Sequence, residues 1–221
     1  MKEFVKISPS NIPDVIVEFS DSFELDKNVL VSVPSSYVGI ILINDKPCGR
    51  LETCNNESLY KYLGKEYLGN KIVISYIKKA NLPAIPWGFG EIPVKNEKLA
   101  ETYRVGANGK YYLTIKDPAL LVKAFGTEKN ITLDDISSKT KMLIKTVGKP
   151  ILSKFFADTM VSVFEITSKS DEIRSLIYEA VSKEKLLKEC GLELKELTVE
   201  GIHVPDEDME LIRKVINQID D

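Results

Sequence analysis

The sequence predicts an α+β fold, a twisted and mainly antiparallel sheet with helices packed on one side and an amphipathic helix at the C-terminal end. Three observations carry that expectation. From Val29 to Lys116 apolar and polar residues alternate mainly with period two, the mark of half-buried strands. From Pro118 onward the period becomes helical. Leu192 to Val199 then returns to alternation, so a late strand rejoins the early sheet instead of leaving separate β and α domains.

Taken in order, residues 1–28 are polar and broken by Pro9 and Pro13, and read as a lead-in segment. Residues 29–205 read as the main domain, strand-rich over 29–116 and helical with a returning strand over 117–205. Strands are expected over Val29 to Val33, Tyr37 to Ile43, Pro47 to Leu51 and Lys71 to Ile77. Leu59 to Leu63 fits either one helical turn or a loop. The run Pro83-Ala-Ile-Pro-Trp-Gly-Phe-Gly90 leads into Ile92-Pro-Val94 and then to a hairpin expected around Gly106 to Gly109. A two-residue Asn108-Gly109 turn would put its two apolar rows on opposite faces. A three-residue loop, Ala107-Asn108-Gly109, pairs Val105 with Tyr111 and Tyr103 with Leu113 and keeps both rows on one face, so that register is expected. Asp117 before Pro118 reads as an N-cap with proline at the first helical position, giving a short helix through Phe125 closed by Gly126.

A long helix is expected from Leu133, with Ile136, Leu143, Ile144, Val147 and Ile151 as its apolar stripe and a kink or break at Gly148 and Pro150. The next helix starts after Ser168-Lys-Ser170, carries Ile173, Leu176, Ile177, Ala180 and Leu187 on one side, and ends at Cys190-Gly191. In the strand that follows, Leu192 and Leu194 keep one alternation and Leu197 and Val199 the other, so a bulge near Lys195 to Glu196 is needed. Residues 206–221 form a C-terminal helix with an acidic first turn. Its Met209, Ile212, Ile216 and Ile219 follow the 3-4-3 spacing of a coiled-coil seam; the same spacing suits a helix packed on its own domain.

Composition narrows the function. At 221 residues and 43 % hydrophobic content the chain can bury a real core. No run approaches the roughly 18 apolar residues of a membrane span, and the N-terminus has no signal-peptide core, so a cytoplasmic protein is expected. A net charge of −3, from 30 basic and 33 acidic residues, argues against a nucleic-acid binder. Cys48, Cys54, Cys190 and His203 could supply four soft ligands, but no spacing matches a zinc module; reduced cysteines, a structural or exposed histidine, and no metal or cofactor are expected. There is no Gly-x-Ser-x-Gly, no phosphate loop and no histidine pair on a helix, so no catalytic residue, small-molecule substrate or enzymatic activity is expected. The acidic pairs Asp134-Asp135 and Glu193/Glu196 read as solvated. Lys141, Lys145 and Lys149 line one helix face, which fits either a solvated surface or attraction to anionic lipid headgroups. Trp87 and Phe89 either line a partner groove or pack over the open end of the sheet.

Trp87-Gly-Phe-Gly90, Ile92-Pro-Val94, the hairpin, and Ile115-Lys-Asp-Pro118, in this order, resemble the SPFH (band-7) superfamily of stomatin, prohibitin and flotillin relatives. The likeness extends to Ser36 to Asn44 upstream, and to Gly191 to Leu197 and Ile202 to Pro205 downstream, so that about residues 30–215 are covered. It is nearest to the stand-alone bacterial, virion-core-protein-like branch. The N-terminal membrane hairpin of many relatives and the zinc-ribbon tail of some are missing from the pattern. The resemblance implies a non-enzymatic scaffold that self-associates and organises an unidentified protein partner, peripherally at the inner face of the cytoplasmic membrane. A homo-oligomer would use Met209, Ile212, Ile216 and Ile219. The alternative is a monomeric adaptor using a sheet edge or the Trp87 region; an unrecognised hydrolase is the third reading.

Overall fold

The first strands arise where the sequence reads as lead-in. The computed structural model describes residues 4–96, 101–158 and 166–219, and begins with β1 (Val5–Ile7), β2 (Val15–Phe19) and β3 (Phe23–Glu24). Val15, Ile16 and Val17 are buried, and β2 lies between two other strands. This corrects the expectation of a polar segment over 1–28: three consecutive apolar residues after Pro13-Asp14 suffice for a strand when both faces are covered. Then come β4 (Val29–Val33), β5 (Tyr37–Ile43), β6 (Lys46–Leu51), β7 (Cys54–Ser58), the single-turn α1 (Leu59–Leu63) and β8 (Lys71–Lys78). Asn44 and Asp45, both at positive φ, make the two-residue turn between β5 and β6.

The second half begins with β9 (Ile85–Asn96) and β10 (Glu101–Ile115), followed by α2 (Pro118–Phe125), β11 (Ile131–Thr132), α3 (Leu133–Asp158), α4 (Ser170–Ser182), α5 (Lys185–Glu189), β12 (Leu192–Leu197), β13 (Gly201–His203) and α6 (Asp206–Ile219). These elements form two compact units, each drawn from three stretches of chain. The first comprises Met1–Leu82, Ile115–Ile136 and Lys188–Leu192; the second comprises Pro83–Thr114, Ser137–Leu187 and Glu193–Asp221. The chain passes from one unit to the other five times, once in the connection between β8 and β9 and otherwise inside β10, α3, α5 and β12.

The first unit holds a six-stranded sheet, ordered β11-β2-β8-β5-β6 with β3 also on β8, and a three-stranded sheet ordered β1-β4-β7. Only β1 against β4 is parallel among the pairings described. Its core is a cluster including Val29, Val31, Val33, Tyr37, Ile41, Leu51, Leu59, Ile72, Ile74 and Tyr76. Asp117 caps α2 as the sequence predicts, its Oδ1 accepting from the backbone N–H groups of Ala119 and Leu120. Gly191, at positive φ, lies so close to the Asp117 carbonyl that a Cβ there would collide with it.

The second unit holds β12-β10-β13, with β9 also on β10. Here the expected hairpin is absent. Residues 106–109 continue one strand, and β10 pairs antiparallel with β9, Tyr103 opposite Val94, Val105 opposite Ile92 and Tyr111 opposite Ile85. The glycines serve close approach and not a turn. A Cβ at Gly106 would collide with the His203 ring of β13, and one at Gly109 with the carbonyl of Thr198. The register shift between Val105 and Ala107 leaves an extra residue on β9, at Gly90-Glu91. Pro86 and Pro93 lack an N–H, and among the described residues β9 pairs with β10 alone, an edge position where proline is tolerated.

Two tyrosines of β10 tie the strand to α3. Tyr111 shares a 2.6 Å hydrogen bond with Thr140, and the Tyr103 hydroxyl donates to the Phe156 carbonyl at 3.2 Å. Tyr103 to Tyr111 spans roughly 26 Å of strand and Thr140 to Phe156 roughly 24 Å of helix. The helix therefore runs alongside the strand in the opposite direction. It also continues through Pro150, so that of the expected kink or break there is no break. Thr146, whose carbonyl loses the Pro150 partner, is exposed, so water can replace the missing donor. Gly148 makes room for the Phe89 ring, which a Cβ would strike.

One helix expected over 170–190 is two, α4 and α5, separated at Lys183-Glu184. Ile173, Ile177 and Val181 are its buried row, while Leu176 is 42 % exposed, so Leu176 and Ala180 belong to a different face from the one predicted. In β12, Leu192, Leu194 and Leu197 are buried with Lys195 and Glu196 both exposed, a change of phase at the predicted bulge position. Val199 lies past the strand and is half-buried.

Candidate functional site

Trp87 and Phe89 are both buried. Their rings touch at 4.8 Å between centroids, tilted by 44°, Trp87 is 5 % exposed, and its indole N–H donates to the Thr198 carbonyl at 3.2 Å. Alternation along β9 turns both inward, which corrects the expectation of a partner site there.

The proposed self-association seam is also partly used within the chain. Ile212 is 2 % exposed and Met209 half-buried, whereas Glu210, Arg213, Lys214 and Asn217 face outward. Of the two readings of this row, Ile212 therefore fits packing on its own fold and is not free as an interface residue here. Ile216 and Ile219 continue α6, and their side chains lie outside the described part of the chain.

The start of α6 is gripped by Arg104 of β10. The Arg104 backbone N–H donates to Asp208 Oδ2 at 2.7 Å, its Nε to the same oxygen at 2.9 Å, and its Nη2 to Asp208 Oδ1 at 3.1 Å. Nη2 also reaches Glu207 at 3.3 Å and Nη1 reaches Glu91 of β9 at 3.1 Å. The bidentate guanidinium contact holds the Asp208 carboxyl below the usual carboxylate range. No single-residue pattern in the sequence announces this clamp, because its partners come from three separate elements.

On α3, Lys141 is half-buried and Lys145 and Lys149 are exposed, with Met142 beside them 66 % exposed. Among the described residues no carboxylate pairs with these three lysines, and from Ile136 to Ala157 the helix carries no acid. Some lysines elsewhere in the helical region are paired, Lys183 with Glu179 at 2.6 Å and Lys169 with Glu172 at 3.5 Å. Like charges four residues apart cost a few tenths of a kcal/mol per pair, so this ridge is not explained by helix stability.

Between α3 and α4 runs a groove of about 540 Å³, its lining including the apolar Ile151, Phe155, Leu176 and Ala180 and the charged Lys154 and Glu179. Of the candidate metal ligands, Cys48 is exposed, Cys54 half-buried and Cys190 buried, while His203 packs over Gly106. Among the described residues no three histidine, cysteine or acidic side chains come together to hold a metal ion, and no helix is long and apolar enough to cross a membrane.

These surfaces define a mixed α+β domain whose accessible chemistry is charge and packing. The family model described as SPFH domain-Band 7 family matches residues 69–219, and the chain belongs to that family. No curated protein matches it. Membership supports, broadly, a scaffold and membrane-associated type of domain, and the family is generally non-enzymatic.

Proposed function

We propose that this chain is a non-enzymatic scaffold that self-associates, organises partner proteins and rests peripherally on an anionic membrane surface. The observation that carries the membrane contact is the ridge Lys141-Lys145-Lys149, which no carboxylate pairs among the described residues, with Met142 exposed beside it. Each lysine near an anionic surface contributes about 1 kcal/mol, and a neighbouring apolar side chain adds contact at the headgroup boundary. Sedimentation with vesicles tests it: binding to phosphatidylglycerol-containing vesicles, weak binding to pure phosphatidylcholine, and loss in the Lys141→Glu/Lys145→Glu/Lys149→Glu variant. Equal retention of that variant on anionic vesicles would remove the ridge from the account. Self-association is tested by light scattering over a hundredfold range of concentration, where a defined multimer supports the scaffold.

The burial of Ile212 favours a second reading, a monomeric adaptor. With Trp87 covered, its docking surface moves to the α3–α4 groove, whose lining residues Ile151, Phe155, Leu176 and Ala180 follow helical spacing and suit an amphipathic partner helix. A constant monomer mass, together with a stoichiometric partner lost on Leu176→Glu, would favour the adaptor.

A further inference from the structure

The amphipathic face of α6 and the clamp at its first turn belong to one device. Asp208 lies in the first turn of the helix and Ile212 one turn further, so the residue gripped by Arg104 and the residue buried in the fold share one face. Arg104 contributes both a backbone donor and its guanidinium, so the carboxylate is fixed by three hydrogen bonds to a single residue of β10. What the closed helix shows to solvent is polar: Glu210, Arg213, Lys214 and Asn217. A second copy approaching from outside meets charge, not the Met209-Ile212 row.

We infer that the Arg104–Asp208 clamp is a latch controlling self-association: closed, it keeps the α6 seam turned into the chain's own unit; opened, it releases the helix and presents that seam to a second copy. The inference rests on the self-association reading above and specifies how it is regulated. The latch consists of charge-assisted bonds at a site where the Arg104 side chain is 40 % exposed and Asp208 15 % exposed, so an acidic or basic competitor has access to it without unfolding the sheet.

The test compares the intact chain, Arg104→Ala, and Arg104→Ala/Ile212→Glu by hydrogen exchange and by light scattering over the same hundredfold concentration range. The expected result is at least tenfold faster exchange over 207–215 in Arg104→Ala, with strand amides of β10 unchanged, and a defined multimer at a concentration at least tenfold lower than for the intact chain. The double variant should exchange as fast and remain monomeric, because its seam carries a charge. Unchanged α6 exchange in Arg104→Ala overturns the latch and leaves the self-association reading to the intact chain's own concentration series. Faster exchange without any multimer overturns the release of a seam, and if the intact chain is also monomeric throughout, the self-association reading falls with it. A multimer persisting in the double variant overturns the seam as the contact.

Discussion

Gly109 and Gly90 sit in one small sheet and face opposite constraints. A Cβ at Gly109 would drive into the backbone carbonyl of Thr198, which no side-chain rotation can relieve, while at Gly90 it would meet nothing. Gly109→Ala should therefore cost several kcal/mol, on the order of 3, or leave the chain insoluble, and Gly90→Ala should leave the thermal midpoint unchanged within a degree or two. Equal midpoints for the two would refute the close approach of the segment after β12. Trp87→Ala should likewise lose about 3–5 kcal/mol in urea unfolding, since it removes a buried ring in contact with Phe89 and leaves the Thr198 carbonyl unpaired. Glycine's two uses, positive φ and small volume, look alike in a sequence. The signal that separates them here is the unbroken alternation of Tyr103, Val105, Ala107, Tyr111 and Leu113, all buried on odd positions, which a hairpin at 107–109 would interrupt.

At the level of elements, α3 opens on a reciprocal cap. The Thr132 backbone N–H and hydroxyl both donate to Asp135 Oδ2, at 2.9 and 2.7 Å, and the Asp135 N–H donates back to the Thr132 hydroxyl at 3.2 Å. Thr132→Ala should cost about 1 kcal/mol in urea unfolding at neutral pH. The Lys129 ammonium, then the Thr132 backbone and hydroxyl, pull the Asp135 carboxyl from its ordinary 3.8 to about 2. Because the folded value is the lower one, this contribution is fully present above pH 4 and fades as the pH falls through about 2. The stability gap between the intact chain and Asp135→Asn should shrink over that window; a gap constant from pH 6 to pH 2 would contradict it. In α6, Ile212→Glu places a charge at a closed site, and its first effect should be loss of amide protection along that helix, with a stability cost of about 3 kcal/mol. Full protection in that variant would mean that the helix does not depend on Ile212. Helix starts such as Asp117-Pro118 are legible because capping is local chemistry. The split between α4 and α5, and the side of α4 that is buried, depend on neighbours that no local pattern names.

At the scale of the whole molecule, membership in the SPFH domain-Band 7 family and the α+β class were legible from ordered motifs, and both hold. The interaction surfaces were legible only as residues. Three lysines four apart announce a ridge, but whether acids from elsewhere neutralise it is a property of the folded chain. The 3-4-3 row of α6 fits a partner copy or its own fold, and Ile212 has gone to its own fold. The division into units was not legible, since four of the five crossings between them fall within secondary structure and leave no linker.

The family match begins at residue 69, just before β8. That strand lies inside the six-stranded sheet, with β2 and β3 on one side and β5 on the other. A fragment cut to begin there would strip the strand of every neighbour and leave two rows of bare amides and carbonyls on a segment reading Ile72-Val-Ile-Ser-Tyr-Ile77, a template for intermolecular pairing. The span matched by the family model thus leaves out the three strands that flank its own first strand, β2, β3 and β5, all of which lie before residue 69.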